Sequence, residues 1–256
     1  MNYQDISSTV YLVLSLLFLV AALFIIRKEK RSRPFFIFGI FFSLILALVT
    51  ALSFFIYNIP ALTLSISFIS VQVFILGGAG AYLCSKLSLP SVPYLRYALS
   101  RFRRDFVIRK FSISLIILSF LAVILYSVAL FALLRPTSSP LLEDFWSSIT
   151  EINRSFSPVI LVAFALGEEI IFRLFLQNLL ASYLGFLRYG WIVAIFLSSA
   201  VWALGHGGMV HPEWVKFLHV LGIGVILGLL MRRQGVESCI VVHGSLNLLA
   251  FVVPQP

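Results

Sequence analysis

The chain has 256 residues, of which 61% are hydrophobic and only 11% are charged. A soluble domain of this size does not need so much apolar sequence, so the composition predicts an all-α, polytopic membrane helix bundle. The formal net charge of +9 does not indicate a partner such as nucleic acid, because the basic residues follow the loops between apolar runs. The two cysteines, Cys84 and Cys239, allow neither a disulfide framework nor a thiolate metal site.

Eight apolar runs are each close to the roughly 20 residues that a bilayer-spanning helix needs. The first, Ser8 to Ile26, is followed by a basic cluster rather than preceded by one, which is the opposite of the charge order in a cleavable signal peptide. The remaining predicted spans are roughly 34–57, 60–85, 110–134, 156–183, 189–206, 213–231 and 237–253. We therefore predict about eight transmembrane helices, with both termini outside.

The basic residues agree with this alternation. All but four of the 19 Lys and Arg residues lie in segments predicted to be cytoplasmic, namely 27–33, 86–110, Arg188, and Arg232 with Arg233. The exceptions are Arg135, Arg154 and Lys216 in outer loops and Arg173 within a span. Since short loops rich in Lys and Arg stay in the cytoplasm, this distribution predicts a multi-pass protein of a bacterial plasma membrane.

We divide the chain into residues 1–85, whose helices carry no chemistry that we can name, and residues 86–256, a helical core. This core begins with the basic interfacial segment 86–110. There, Tyr94 to Lys110 combine apolar residues at helical spacing with arginines, which predicts an amphipathic helix on an anionic lipid surface. On the opposite side, Ser139 is predicted to cap a helix that begins at Pro140.

The polar residues that need an explanation lie within 156–253, and the first cluster is Glu168, Glu169 and Arg173. A charge inside a bilayer costs on the order of 3 kcal/mol even on mild scales. Glu169 and Arg173 are four residues apart and can form an ion pair on one helix face. Glu168 points about 100° away from Glu169, so it is predicted to be the freer carboxylate. The alternative is a buried ion pair that only fixes helix packing.

Two further pairs have the same helical spacing. His206 follows Trp202 by four residues, and Asn247 follows His243 by four. Polar side chains within membranes face the bundle interior and pair with one another. We therefore expect both pairs to meet the carboxylate cluster in one polar cavity.

These motifs together resemble those of a known family. The resemblance rests on Glu168-Glu169-x-x-x-Arg173, on the aromatic-x-x-x-His pattern of Trp202 and His206, and on His243-x-x-x-Asn247. This set is similar to the Abi family, the CAAX prenyl endopeptidase and bacteriocin-processing (CPBP) family of glutamate intramembrane proteases. The similarity covers roughly Phe156 to Val253. Trp202 is a departure, because Phe is commoner at that position.

The resemblance implies an endopeptidase that needs no cofactor or metal. Glu168 and His206 would activate a water, and His243 and Asn247 would stabilise the oxyanion of the tetrahedral intermediate. The supporting residues would be Glu169, Arg173 and Trp202. The implied partners are the lipid bilayer and a peptide or protein substrate, with a membrane-anchored substrate as one option.

Three alternatives are left open. Glu168, His206 and His243 could instead bind Zn²⁺ in a metal-dependent protease. The intramembrane acids and histidines could form the proton path of a transporter or channel. A non-enzymatic immunity-type protein is the third alternative, although it would be expected to lack a motif residue and none is missing. The sequence predicts neither the oligomeric state nor which substrate is cut: a prenylated peptide, a bacteriocin leader or a membrane-anchored regulator.

Overall fold

A computed structural model describes residues 3–55, 60–95, 112–152 and 156–252. Within these ranges the chain is a helix bundle, which confirms the predicted all-α membrane architecture. In chain order the helices are α1 Tyr3–Lys28, α2 Phe36–Phe55, α3 Pro60–Lys86, α4 Ile113–Leu134, α5 Pro140–Ile152, α6 Ser157–Glu168, α7 Asn178–Tyr183, α8 Gly190–Leu204, α9 Glu213–Gln234 and α10 Val236–Val252. A 3₁₀-helix, Lys30–Phe35, precedes α2, and a π-helix, Glu169–Gln177, joins α6 to α7.

Every predicted span coincides with helix in the described residues. In the part of the chain that the structure describes, four stretches are long and apolar enough to cross a membrane, namely Lys30–Phe54, Ser67–Lys86, Ile113–Leu134 and Glu213–Gln234. The apolar helices Gly190–Leu204 and Val236–Val252 are shorter. The chain is an integral membrane protein; the number of crossings stays a prediction.

Two helix boundaries differ from the prediction. The span at 189–206 ends as an α-helix at Leu204, because the chain tightens into a turn there: the N–H of Gly205 donates to Trp202 O and that of His206 to Ala203 O. His206 therefore lies just beyond α8. The predicted amphipathic helix from Tyr94 to Lys110 falls mostly on residues 96–111, which lie outside the described residues.

The predicted cap at Ser139 is confirmed. Helix α5 begins at Pro140, and the Ser139 Oγ accepts a hydrogen bond of 3.3 Å from the N–H of Leu142. The same Oγ donates to the carbonyl of Gly208 at 2.6 Å. Next to it, the two-residue strands β1, Thr137–Ser138, and β2, Val210–His211, pair antiparallel. Ser139 thus joins the start of α5 to the loop between α8 and α9.

The π-helix is the part of the backbone that the sequence did not predict. It interrupts the span at 156–183 between Glu168 and Asn178, and its i→i+5 hydrogen bonds widen the helix. Such segments are frequent at functional sites. Here the π-helix begins at the second of the two adjacent carboxylates.

Helix α9 approaches the π-helix closely through two glycines. A Cβ added to Gly224 would lie 2.7 Å from Ser199 Cβ and 3.1 Å from Arg173 Nη2. One added to Gly228 would lie 2.8 Å from the Gln177 Oε1. Because no side chain fits at either position, these glycines allow three helices to enclose the polar residues.

The loops separate into two ends of the bundle. Gln234 accepts a hydrogen bond from the N–H of Ser112, and Glu237 accepts one of 2.7 Å from each of the N–H groups of Tyr94 and Leu95. The segments predicted to be cytoplasmic therefore meet one another, and the β1–β2 pair joins two loops predicted to be outside. This agrees with the predicted alternation, while the absolute orientation stays a prediction.

Candidate active site

The two adjacent carboxylates have different environments, as the sequence predicted. The Glu168 side chain is 31% exposed, whereas Glu169 is 1% exposed and Arg173 is fully buried. The Nε of Arg173 lies 3.5 Å from the Glu169 Oε2, which confirms the expected pair. Glu168 is therefore the carboxylate that a substrate or a water can reach.

Trp202 fixes the orientation of Glu168. The indole Nε1 donates a hydrogen bond of 2.8 Å to the Glu168 Oε2, and the Trp202 side chain is almost completely buried. We expected Trp202 only to lie beside His206, which it does, with ring centroids 5.2 Å apart. The direct bond to Glu168 was missed. The signal was present in the residue type, because a buried indole N–H needs an acceptor and Phe has none.

His206 faces the other oxygen of Glu168. Its Nδ1 lies 3.1 Å from the carbonyl oxygen of Trp202, and its Nε2 lies 4.0 Å from the Glu168 Oε1. A carbonyl oxygen only accepts hydrogen bonds, so Nδ1 carries the proton of a neutral ring and Nε2 is an acceptor. The acceptor nitrogen and the carboxylate thus point towards a shared space.

His243 lies between the two carboxylates. Its Nδ1 is 2.8 Å from the Glu169 Oε1, and its Nε2 is 3.9 Å from the Glu168 Oε2. The contact with Glu169 is much shorter than the 3.5 Å between Glu169 and Arg173. The sequence analysis assigned Glu169 to Arg173 alone, so its role in holding the His243 ring was missed. No sequence signal identifies this contact, because His243 and Glu169 are 74 residues apart.

Arg173 contacts two other residues of the site, Trp202 and Glu169. Its guanidinium carbon lies 4.5 Å from the centroid of the Trp202 ring, the geometry of a cation–π contact. Within the described residues, the three guanidinium nitrogens have no hydrogen-bond partner. The charge of Arg173 is therefore balanced by Glu169 and by the face of Trp202, and it does not contact Glu168 directly.

Asn247 lies one turn beyond His243 on α10. Its Nδ2 donates a hydrogen bond of 3.2 Å to the carbonyl of Leu161, which is seven residues before Glu168 on α6. The structure thus places Asn247 between α10 and α6, the helix that ends at Glu168. It shows no contact of Asn247 with Glu168, His206 or His243. A side-chain amide has a second N–H, which can serve a substrate.

Lys216 was treated in the sequence analysis as an ordinary residue of the outer loops. It lies in the first turn of α9, is partly buried, and interacts electrostatically with Glu168 and His206. It shares a helix face with Val220 and Gly224, the face that packs against the π-helix and α8. A cation therefore lies near the polar cluster, at the end of the bundle where α9 begins.

Comparison with known proteins agrees with the resemblance that the motifs indicate. Residues 151–249 match the sequence model of a family described as type II CAAX prenyl endopeptidase Rce1-like. This part of the chain is similar to the Rce1-like family. All candidate site residues fall inside the matched range, whereas α1 to α4 lie outside it. The similarity to the Rce1-like family supports a CAAX-type membrane protease in general terms.

A curated relative is similar over part of the same region. The sporulation-killing factor biosynthesis protein SkfC of Bacillus subtilis (strain 168) is 30% identical over 91 residues, which are 35% of this chain and 18% of SkfC. The chain therefore spans less than a fifth of the length of this relative. No solved structure matches the chain.

Proposed function

We propose that the chain is an intramembrane endopeptidase of the glutamate type. The observation that carries the proposal is the convergence on Glu168: the Nε2 atoms of His206 and His243 lie 4.0 and 3.9 Å from its two oxygens. These distances are too long for direct hydrogen bonds and leave space for a small group between the partners. A water between Glu168 and His206 would have two acceptors for its protons.

The hydrolysis follows from that arrangement. Glu168 takes one proton of the water, while His206 Nε2 accepts a hydrogen bond from the other. The water oxygen attacks the carbonyl carbon of the substrate peptide bond, which gives a tetrahedral intermediate with a negatively charged oxygen. Glu168 then gives its proton to the leaving nitrogen as the C–N bond breaks, so the same carboxylate is first the base and then the acid.

His243 and Asn247 are proposed to stabilise the oxyanion. His243 Nδ1 is held by Glu169, which directs Nε2 towards the space beside Glu168. Nε2 donates a hydrogen bond to the oxyanion when that nitrogen carries a proton. The second amide N–H of Asn247 is the other donor. Donors placed before the reaction are worth roughly 3 kcal/mol of barrier each.

The substrate is proposed to be a peptide or protein segment reached within the membrane. The oxygens and nitrogens of the site lie inside an apolar helix bundle, so a soluble peptide must leave water to reach them. We propose that the chain lies in a bacterial plasma membrane with both termini outside. A cysteine introduced at position 100 should then resist labelling by an impermeant thiol reagent in intact cells, and efficient labelling would reverse this orientation.

A zinc-dependent protease is the second candidate, and one observation favours it. Both histidines direct Nε2 towards Glu168 while Nδ1 is held by a carbonyl or a carboxylate, as is usual for histidines that bind zinc. Against it, no three His, Cys, Asp or Glu side chains in the described ranges are arranged to hold an ion. The zinc hypothesis also gives no task to Asn247.

The experiment uses the purified full chain in liposomes with a library of membrane-anchored peptides, and maps the cuts by mass spectrometry. Cleavage that survives dialysis against a strong chelator, and that is lost in Glu168→Gln and in His206→Ala, is the expected result. Cleavage that disappears with bound zinc and returns when zinc is restored would establish the second candidate. Proton flux through sealed liposomes without any cleavage would contradict both.

A further inference from the structure

A second cavity lies far from the candidate active site, at the end of the bundle where α1 and α3 both terminate. Its volume is about 200 Å³, and it is enclosed by α1, α3 and α7. A water in the liquid occupies roughly 30 Å³, so the cavity is several times larger than one water or a small ion requires. It joins a helix outside the Rce1-like match to a helix within it.

The lining of this cavity is divided between apolar and basic groups. Phe24 and Leu179 form part of the apolar wall, and the exposed side chains of Lys28 and Lys86 lie at the rim. Lys28 is the last residue of α1 and Lys86 is the last residue of α3. Both ammonium groups therefore lie where two apolar helices reach the membrane surface, at the depth of lipid head groups.

The rim of the cavity is positively charged, and the Lys28 Nζ lies 5.9 Å from the centroid of the Phe24 ring. In the ranges that the structure describes, neither Lys28 nor Lys86 forms an ion pair. The nearby acid, Glu29, is engaged by the hydroxyl of Tyr82, which is buried in the wall. Arg31 also interacts electrostatically with Tyr82 and adds a third cation to the neighbourhood. The net charge at the opening favours an anion.

We infer that this cavity binds one anionic glycerophospholipid. Its phosphate lies between Lys28 and Lys86, and one acyl chain lies against Phe24 and Leu179. A free phosphate would use the lysines but leave the apolar wall without a partner, and a zwitterionic lipid would place its own cation beside the two lysines. Basic pockets between helices at the cytoplasmic surface are typical binding sites for anionic head groups.

A bound lipid would also have a structural consequence. Helix α1 packs on the catalytic half through Phe18, whose ring centroid lies 6.5 Å from that of Phe172 and 6.3 Å from that of Phe175. Further along α1, at its last residue Lys28, the lipid would extend the same interface. Binding is therefore expected to stabilise the folded protein by mass action.

The experiment titrates the delipidated full chain, in a neutral detergent, with short-chain phosphatidylglycerol, with phosphatidylcholine of the same chain length and with inorganic phosphate. The midpoint of thermal unfolding is the readout. Phosphatidylglycerol should raise the midpoint in a saturable manner. For the same rise in the unfolding midpoint, the double variant Lys28→Gln/Lys86→Gln should need a lipid concentration at least about tenfold higher.

The matched control is Arg27→Gln/Lys30→Gln, which removes two exposed cations from the same end of the chain but outside the cavity. It should respond to phosphatidylglycerol as the wild-type protein does. An equal loss in both double variants would overturn the inference, because it would indicate a diffuse electrostatic effect. An equal rise with phosphatidylcholine or with phosphate alone, or no rise with phosphatidylglycerol, would overturn it as well.

Discussion

Helices α1–α3 and the segment from α6 to α10 are both rich in apolar side chains, but their buried polar groups have different partners. In the first region the buried Ser53 hydroxyl donates to Val49 O, four residues back in its own helix. In the second region, the buried polar groups of three helices meet: Glu169 contacts His243, and Trp202 donates to Glu168. A polar group satisfied by its own helix adds little to tertiary structure, whereas a network across helices fixes how those helices pack.

This contrast has a functional meaning. Charged groups are costly inside a membrane, so a protein retains them where they do chemistry or hold the groups that do. The described part of α1–α3 contains no buried Asp, Glu, Lys or Arg, whereas Glu169 and Arg173 are almost completely buried. The following predictions ask whether the polar network carries catalysis, stability or both.

The largest effect is expected for Glu168→Gln, which should lower the cleavage rate by roughly 10²–10⁴-fold, the contribution typical of a general base. The amide is isosteric and its oxygen still accepts the hydrogen bond from Trp202, so the unfolding midpoint should stay near that of the wild type. The rate is measured by quantitative mass spectrometry of the products. Glu143→Gln, which changes an exposed acid on α5, is the control and should retain full activity. Wild-type turnover in Glu168→Gln would refute the assignment of the base.

The next prediction separates the two regions by stability. Arg173→Met leaves Glu169 buried without its cation, which should lower the free energy of unfolding by roughly 3–5 kcal/mol. Gln72→Met on α3 is the matched control: Gln72 is also buried, and its Nε2 has no hydrogen-bond partner in the described residues. Removing that unsatisfied group should be neutral or slightly stabilising. The free energy of unfolding is measured with denaturant in mixed micelles. Equal losses of free energy in the two variants would show that the two regions do not differ in this way.

The fold and the first contacts of the site were predictable because they depend on local periodicity. Apolar runs of sufficient length identify the helices, and a spacing of four identifies the pair of Glu169 and Arg173 and that of Trp202 and His206. The unequal exposure of Glu168 and Glu169 also follows, because one arginine satisfies one acid. Charge counts in the loops predicted which loops share an end of the bundle.

The remaining features depend on contacts between distant parts of the chain. The π-helix packs against α3, α8 and α9. On their own, residues 169–177 have the sequence of an ordinary apolar helix with two charges. The contact of His243 with Glu169 and that of Asn247 with Leu161 require the relative rotation of α6 and α10. Periodicity gives the face on which a residue lies, but not the face of the partner helix that it meets.

A smaller effect is expected for Trp202→Phe, which restores the aromatic residue that is commoner in the family but removes the donor to Glu168. A hydrogen bond to a charged group contributes about 1.5–3 kcal/mol, so kcat should fall by roughly 10–100-fold. KM should change little, because the indole holds the base rather than the substrate. Trp191→Phe, the same substitution at the start of α8 beneath Arg232, is the control for lost volume. Equal activity in the two variants would show that the hydrogen bond does not position Glu168.

The smallest effect is expected for Lys216→Gln, although this residue is close enough to interact with Glu168 and His206. In the proposed reaction the negative charge passes from Glu168 to the oxyanion. A cation near both positions stabilises the ground state and the transition state almost equally, and only the difference changes the rate. We therefore expect kcat/KM to fall by only about two- to fivefold, since a difference near 1 kcal/mol corresponds to about fivefold.

Lys216→Arg should restore the rate, and Arg135→Gln, which removes an exposed charge at the same end of the bundle, should not change it. A loss of a hundredfold or more in Lys216→Gln would mean that Lys216 contacts the reacting atoms, and the oxyanion would then have a donor in addition to His243 and Asn247.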